Sequence, residues 1–110
     1  MSKFRNIKTT VDGIKFDSKK EANRYTQLRF LESAGEITNL ELQPKFVLIG
    51  ASGEPLTYDN GRKMVYIADF KYTEWSTGQE VIEDVKGHKT AVYKIKKSIM
   101  KSMGYTVTEI

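Results

Sequence analysis

The chain has 110 residues, 39% of them apolar and 29% charged, with a net charge of +4 and no cysteine. That length supports one hydrophobic core, hence a single domain spanning 1–110. The lack of cysteine excludes a disulfide framework, a thiolate metal site and a cysteine nucleophile, and no apolar run reaches the roughly 20 residues of a membrane span. Residues 1–6 lead into no apolar signal core, so a cytoplasmic protein without a membrane partner is expected. An isoelectric point of about 9.2 allows a polyanionic partner.

Residues 3–16 read as a hairpin, with Asp12-Gly13 turning between Thr9-Thr10-Val11 and Ile14-Lys15-Phe16. Ser18-Lys19-Lys20-Glu21 has the Ser-x-x-Glu form of a capping box and opens a helix that runs to Ala34 and stops at Gly35. Tyr25, Leu28 and Leu31 form its apolar stripe, and Glu21 lies at the N-terminal end of the same side. Phe30 falls off that stripe, which suggests contact on a second face. A strand is expected over 41–49, where Pro44 marks an edge position or a bulge. Residues 50–63 hold three glycines and one proline and read as a loop or hairpin tip. Strands follow over 64–73 and 79–86, joined by Ser76-Thr77-Gly78. Val92, Ile95, Ile99 and Met103 recur at i, i+3, i+7 and i+11 and predict a second helix with an apolar stripe, ended by Gly104. Tyr105-Thr106-Val107-Thr108 is the last strand. The class is therefore α/β: an N-terminal hairpin, then helix, three strands, helix and strand, with a mixed sheet flanked by the helices. The final strand–helix–strand connection should be a right-handed crossover within that sheet.

Chemistry-bearing residues concentrate in Val81-Ile82-Glu83-Asp84-Val85-Lys86-Gly87. Side chains alternate along a strand, so Asp84 and Lys86 share a face and Glu83 points to the other. Asp69 stands in the apolar run Met64-Val65-Tyr66-Ile67-Ala68-Asp69-Phe70, where a carboxylate is costly to bury unless paired or metal-bound. Carboxylates on adjacent strands beside a lysine suit Mg²⁺ and the activation of water. The alternative for Asp84 and Lys86 is a salt bridge on a strand. Glu21 has a structural explanation as the capping partner of Ser18, and a catalytic role stands beside it.

Four segments together resemble the PD-(D/E)XK nuclease superfamily, most of all its small phage-encoded endonucleases and Holliday-junction-resolvase-like members. They are Phe16-Asp17-Ser18-Lys19-Lys20-Glu21-Ala22, Leu42-Gln43-Pro44-Lys45-Phe46, Tyr66-Ile67-Ala68-Asp69-Phe70 and Glu83-Asp84-Val85-Lys86-Gly87. The resemblance implies a restriction-endonuclease-like core and a Mg²⁺-dependent DNA endonuclease, with Mn²⁺ able to substitute. Asp69 matches the first acid of the motif, and Asp84 and Lys86 match the (D/E)-x-K pair. Asp69, Asp84 and the carbonyl of Val85 are implied as metal ligands, with Glu21 as the acid of the first helix. Ala68 stands where the motif's proline would be. The substrate implied is branched DNA from phage recombination or replication, in the cytoplasm of a bacterial host; since a junction has two strands to cut and the domain is small, a homodimer is expected.

Residues 88–102 carry five lysines and no acid, directly after the motif strand. Lys89, Thr90, Tyr93, Lys94, Lys97 and Lys101 are the candidate nucleic-acid contacts, with Lys94, Lys97 and Lys101 on one stripe. A solvated helix face is the alternative. His88, the only histidine, reads as a loop residue with a water-relay role open to it, and Trp75 reads as a hairpin-tip ring that closes the core or stacks on a partner. Gln43 fits the family pattern and could equally bond to backbone beside Pro44. Against the nuclease stands a non-catalytic nucleic-acid-binding module of the same fold.

Overall fold

The computed structural model describes residues 8–85 and 89–110. Its elements are β1 (Thr9–Val11), β2 (Ile14–Phe16), α1 (Lys19–Ser33), β3 (Ile37–Leu42), β4 (Lys45–Val47), β5 (Val65–Ile67), β6 (Phe70–Glu74), β7 (Glu80–Asp84), α2 (Ala91–Ser102) and β8 (Val107–Glu109). β1 and β2 pair as the N-terminal hairpin, with Asp12 and Gly13 both at positive φ as its two-residue turn requires. The Tyr25 hydroxyl donates to Asp12 Oδ2 at 3.0 Å and its ring lies 5.0 Å from that of Phe16, which fastens the hairpin to α1. Ser18 is the N-cap of α1, its Oγ accepting from the Glu21 amide at 3.1 Å.

β3, β6 and β7 form an antiparallel meander, and β8 adds parallel to β7 through α2, giving a mixed sheet ordered β3-β6-β7-β8. The fold class matches the expectation. One core packs α1 residues Ala22, Tyr25 and Leu28 on Phe16, Ile37, Phe70, Tyr72 and Val85. The other gathers Tyr93 and Met100 of α2 with Leu48, Tyr66, Ala68, Ile82 and Val107. Consecutive β7 residues divide between the two, so the helices cover opposite faces of the sheet. Each fully buried large side chain, such as Phe70 or Leu28, contributes on the order of 1.5–3 kcal/mol.

Several expectations change in detail. The strand expected over 41–49 begins earlier, at Ile37, and turns at Gln43-Pro44 into β4; that expected over 64–73 turns at Ala68-Asp69, dividing into β5 and β6. The two turns lie side by side, with Gln43 N donating to Asp69 O (2.9 Å) and Ala68 N to Pro44 O (3.1 Å). β4 and β5 continue past them as a separate two-stranded ribbon. Residues 50–63 are bridged by the pairs Ile49–Pro55 and Thr57–Lys63. Phe30 is 73% exposed, so α1 packs on one face only. The expected stripe of α2 holds in its second half only: Ile99 and Met103 pack against the core beside the buried Tyr93 and Met100, while Val92 and Ile95 are exposed.

Candidate active site

Along β7 the alternation read from the sequence holds. Asp84 goes with Ile82 towards α2, and Glu83 with Val81 and Val85 towards α1. Both carboxylates are nonetheless fully buried, at 0% and 1% exposure. Glu83 is neutralised by Arg24 of α1, which donates from Nε to Oε1 at 2.8 Å and from Nη2 to Oε2 at 2.6 Å. The Tyr72 hydroxyl also donates to Glu83 Oε2. This two-pronged pair ties α1 to β7 and accounts for a buried charge that the motif does not need.

Asp69 sits at the turn between β5 and β6. Its amide donates to Glu83 O at 3.1 Å, and its Oδ2 accepts from the Val85 amide at 2.6 Å. Its carboxyl lies in the field of Asp84, the neighbouring acid on β7. Burial raises the Asp69 pKa to about 7, the Val85 bond opposes that rise, and Asp84 and then Glu21 add to it. Asp84 in turn accepts at Oδ2 from the Tyr66 hydroxyl, whose own pKa is pushed up by burial and by that carboxylate. The Tyr66 ring lies 6.3 Å from that of Tyr93.

Glu21 is buried on the α1 side, and a cavity of about 140 Å³ lies between it and Asp69, lined also by Ile14, Lys15, Phe16, Leu42 and Gln43. The structure thus places Asp69 within the electrostatic reach of Asp84, and Glu21 and Asp69 on one cavity. Among the described residues, no three His, Cys, Asp or Glu side chains converge as a complete metal cage. Mg²⁺ does not need one, because it is usually held by one or two carboxylates and keeps several waters. A fully buried carboxyl, Asp84, and a half-buried one, Asp69, whose like charges raise the cost of ionising both, fit such an ion, and all their donors are hard oxygens.

The remaining candidates lie near α2. Thr90 is its N-cap, with Oγ1 accepting from Tyr93 N at 3.0 Å. Tyr93 is buried rather than displayed, and its hydroxyl donates to Glu109 Oε2 at 2.8 Å. Lys89 and Lys97 pair with the same carboxylate at 2.8 and 3.0 Å, which holds Glu109 at a pKa of about 2. Lys94 and Lys101 are exposed. Lys97 and Lys101 line a groove of about 290 Å³ with Ser98, Tyr105, Thr106 and Val107. Trp75 is 73% exposed at the β6–β7 turn. Lys86 and His88 lie outside the described residues.

Reading the sequence missed Arg24, Lys15, Tyr66, Tyr72 and Glu109. Arg24 carried a signal, since it stands three residues after Glu21 on the sheet-facing side of α1. The tyrosines read only as apolar strand residues, because a pattern of hydrophobicity does not show where a hydroxyl ends. No curated protein and no solved structure matches the chain. A family model described as a protein of unknown function, DUF1064, matches residues 1–108, and the chain belongs to that family.

Proposed function

We propose that the protein is a metal-dependent DNA endonuclease of the PD-(D/E)XK type. The observation that carries this reading is the placing of two acids, half-buried Asp69 at the β5–β6 turn and fully buried Asp84 on β7, with a third, Glu21, across a cavity from Asp69. Asp69, Asp84 and the Val85 carbonyl would hold Mg²⁺ or Mn²⁺. The ion, when bound, supplies charge neutralisation at the phosphate and acidifies a water. Asp69, with its pKa raised to about 7, would have to be ionised to hold the ion. The Val85 amide and the Tyr66 hydroxyl orient these carboxylates before substrate arrives. Glu21 accepts a hydrogen bond from water in the cavity and steers it to the phosphorus. Lys86 stabilises the charge that develops on the phosphate. Lys89, Lys94, Lys97 and Lys101 supply phosphate contacts, which position DNA without reading its sequence. A branched substrate rests on the resemblance alone, and a homodimer on the two strands that a junction offers to a small domain. No helix among the described residues is long and apolar enough to cross a membrane.

Incubation of the purified protein with labelled linear, flapped and four-way DNA, in Mg²⁺, Mn²⁺ or EDTA, tests the reading. Cleavage is expected with either metal and not with EDTA, and Asp69→Asn or Asp84→Asn should abolish it while the fold persists. Cleavage that survives both substitutions would remove the site. Binding without cleavage under every metal condition would leave the nucleic-acid-binding module instead.

A further inference from the structure

The conformation of Gln43 is what a glycine would adopt. Its φ of +50° lies in the left-handed region, and it precedes Pro44, which narrows its choices further. The other described non-glycine residues at positive φ are Asp12 and Asn39, whose short polar side chains tolerate that region. Gln43 has no such tolerance. The turn itself explains the backbone: β3 bends into β4 here, and the Gln43 amide is tied to Asp69 O at 2.9 Å. A glycine would make the same turn and the same bond with less strain.

What glycine lacks is the side chain, and Gln43 is an exposed residue among those that line the cavity with Glu21, Asp69 and Lys15. Among the described residues, the hydrogen bonds involving Gln43 are made by its backbone and none by its carboxamide. Two acids on the same wall repel a phosphodiester, so a contact there must come from a hydrogen-bond donor rather than an acceptor. A carboxamide N–H meets that requirement, and strained backbone held beside a cavity is the usual mark of a preorganised contact.

We propose that Gln43 is a substrate-contacting residue whose Nε2 donates to a non-bridging oxygen of the phosphodiester entering the Glu21–Asp69 cavity, an assignment that rests on the nuclease reading. The strained turn fixes where that donor stands.

Three variants test it: Gln43→Gly, Gln43→Glu and Gln43→Asn, each assayed for Tm and for kcat/KM on labelled DNA in Mg²⁺. Gln43→Gly should keep its Tm close to or above the parent's and lose about tenfold in kcat/KM, or about 1.4 kcal/mol. Gln43→Glu keeps the shape and sets a negative charge towards the phosphate, so it should lose more than the glycine variant. Gln43→Asn, which tolerates the backbone and keeps a shorter amide, should fall between parent and glycine. The parent's Gln43 side-chain amide resonances should also shift when a short duplex is added in Ca²⁺. Parent-like kcat/KM in Gln43→Gly overturns this proposal and leaves the nuclease intact. A fall in Tm of more than about 4 °C alongside the lost activity makes the residue structural and also overturns it. A parent protein that neither binds nor cleaves DNA overturns the nuclease reading and this contact with it.

Discussion

At the scale of single residues, the three acids differ in what holds them. Asp69 has a pKa of about 7, raised by burial and by Asp84, whereas an unfolded aspartate titrates near 3.9. A carboxyl raised on folding contributes its full stability below the unfolded value and loses it as pH rises through the folded one. In EDTA, Asp69→Asn should therefore be more stable than the parent at pH 8, by at least about 1 kcal/mol. The gap should close below about pH 4. Asparagine also keeps an oxygen for the Val85 amide. Urea melts at the two pH values check this, and a parent that is the more stable protein at pH 8 would refute the raised Asp69 carboxyl. Glu21 separates differently. Its backbone amide, not its carboxylate, makes the observed bond to Ser18, so Glu21→Gln leaves that bond untouched. Tm should hardly move while cleavage falls at least tenfold, or about 1.4 kcal/mol of barrier. Parent-like rates in both Mg²⁺ and Mn²⁺ would confine Glu21 to the helix cap.

At the scale of elements, α1 is placed against the sheet by Arg24 as much as by its apolar stripe. Glu83 is 1% exposed, so removing its partner strands a buried charge. Arg24→Ala should cost about 3 kcal/mol in chemical denaturation, and the pair Arg24→Met with Glu83→Leu should recover most of it. If the double variant is no better than the single one, the contact is packing rather than charge neutralisation. This pair also shows where sequence reading stops. The alternation of β7, the cap at Ser18 and the parallel return of β8 were all legible, because each follows from local spacing or a connection rule. The partner of Glu83 was not, since it lies 59 positions away in the chain. The bends at Gln43 and Asp69 were only half legible. Pro44 advertised one, but nothing local to Ala68-Asp69 says that the neighbouring strand must turn with it. The first half of the α2 stripe misled for a related reason, while Ile99 and Met103 pack as expected. Val92 and Ile95 are apolar at helical spacing, yet the packing of Tyr93 on Tyr66 decides which way the helix is rotated.

At the scale of the whole molecule, positive charge is concentrated in and around α2, with no acid between 85 and 108. The structure divides those lysines in two. Lys89 and Lys97 are spent on Glu109, which ties α2 to the end of β8 beside Asp84. Among the described residues Lys94 and Lys101 have no such ion pair. Counterion release depends on charges that reach phosphate, and each contact contributes about 0.9 to the slope of log affinity against log salt on duplex DNA. Lys94→Ala with Lys101→Ala should therefore shallow that slope by nearly two units, with Tm unchanged and the preference among DNA structures preserved. Lys89→Ala with Lys97→Ala should do the reverse, lowering Tm while the slope moves less, because Glu109 already offsets part of their charge. Fluorescence anisotropy across a salt series, beside thermal melts, distinguishes the two pairs. Equal slopes in both double variants would mean that Glu109 releases its lysines when DNA arrives, and an unchanged slope in Lys94→Ala with Lys101→Ala would return that face of α2 to plain solvation.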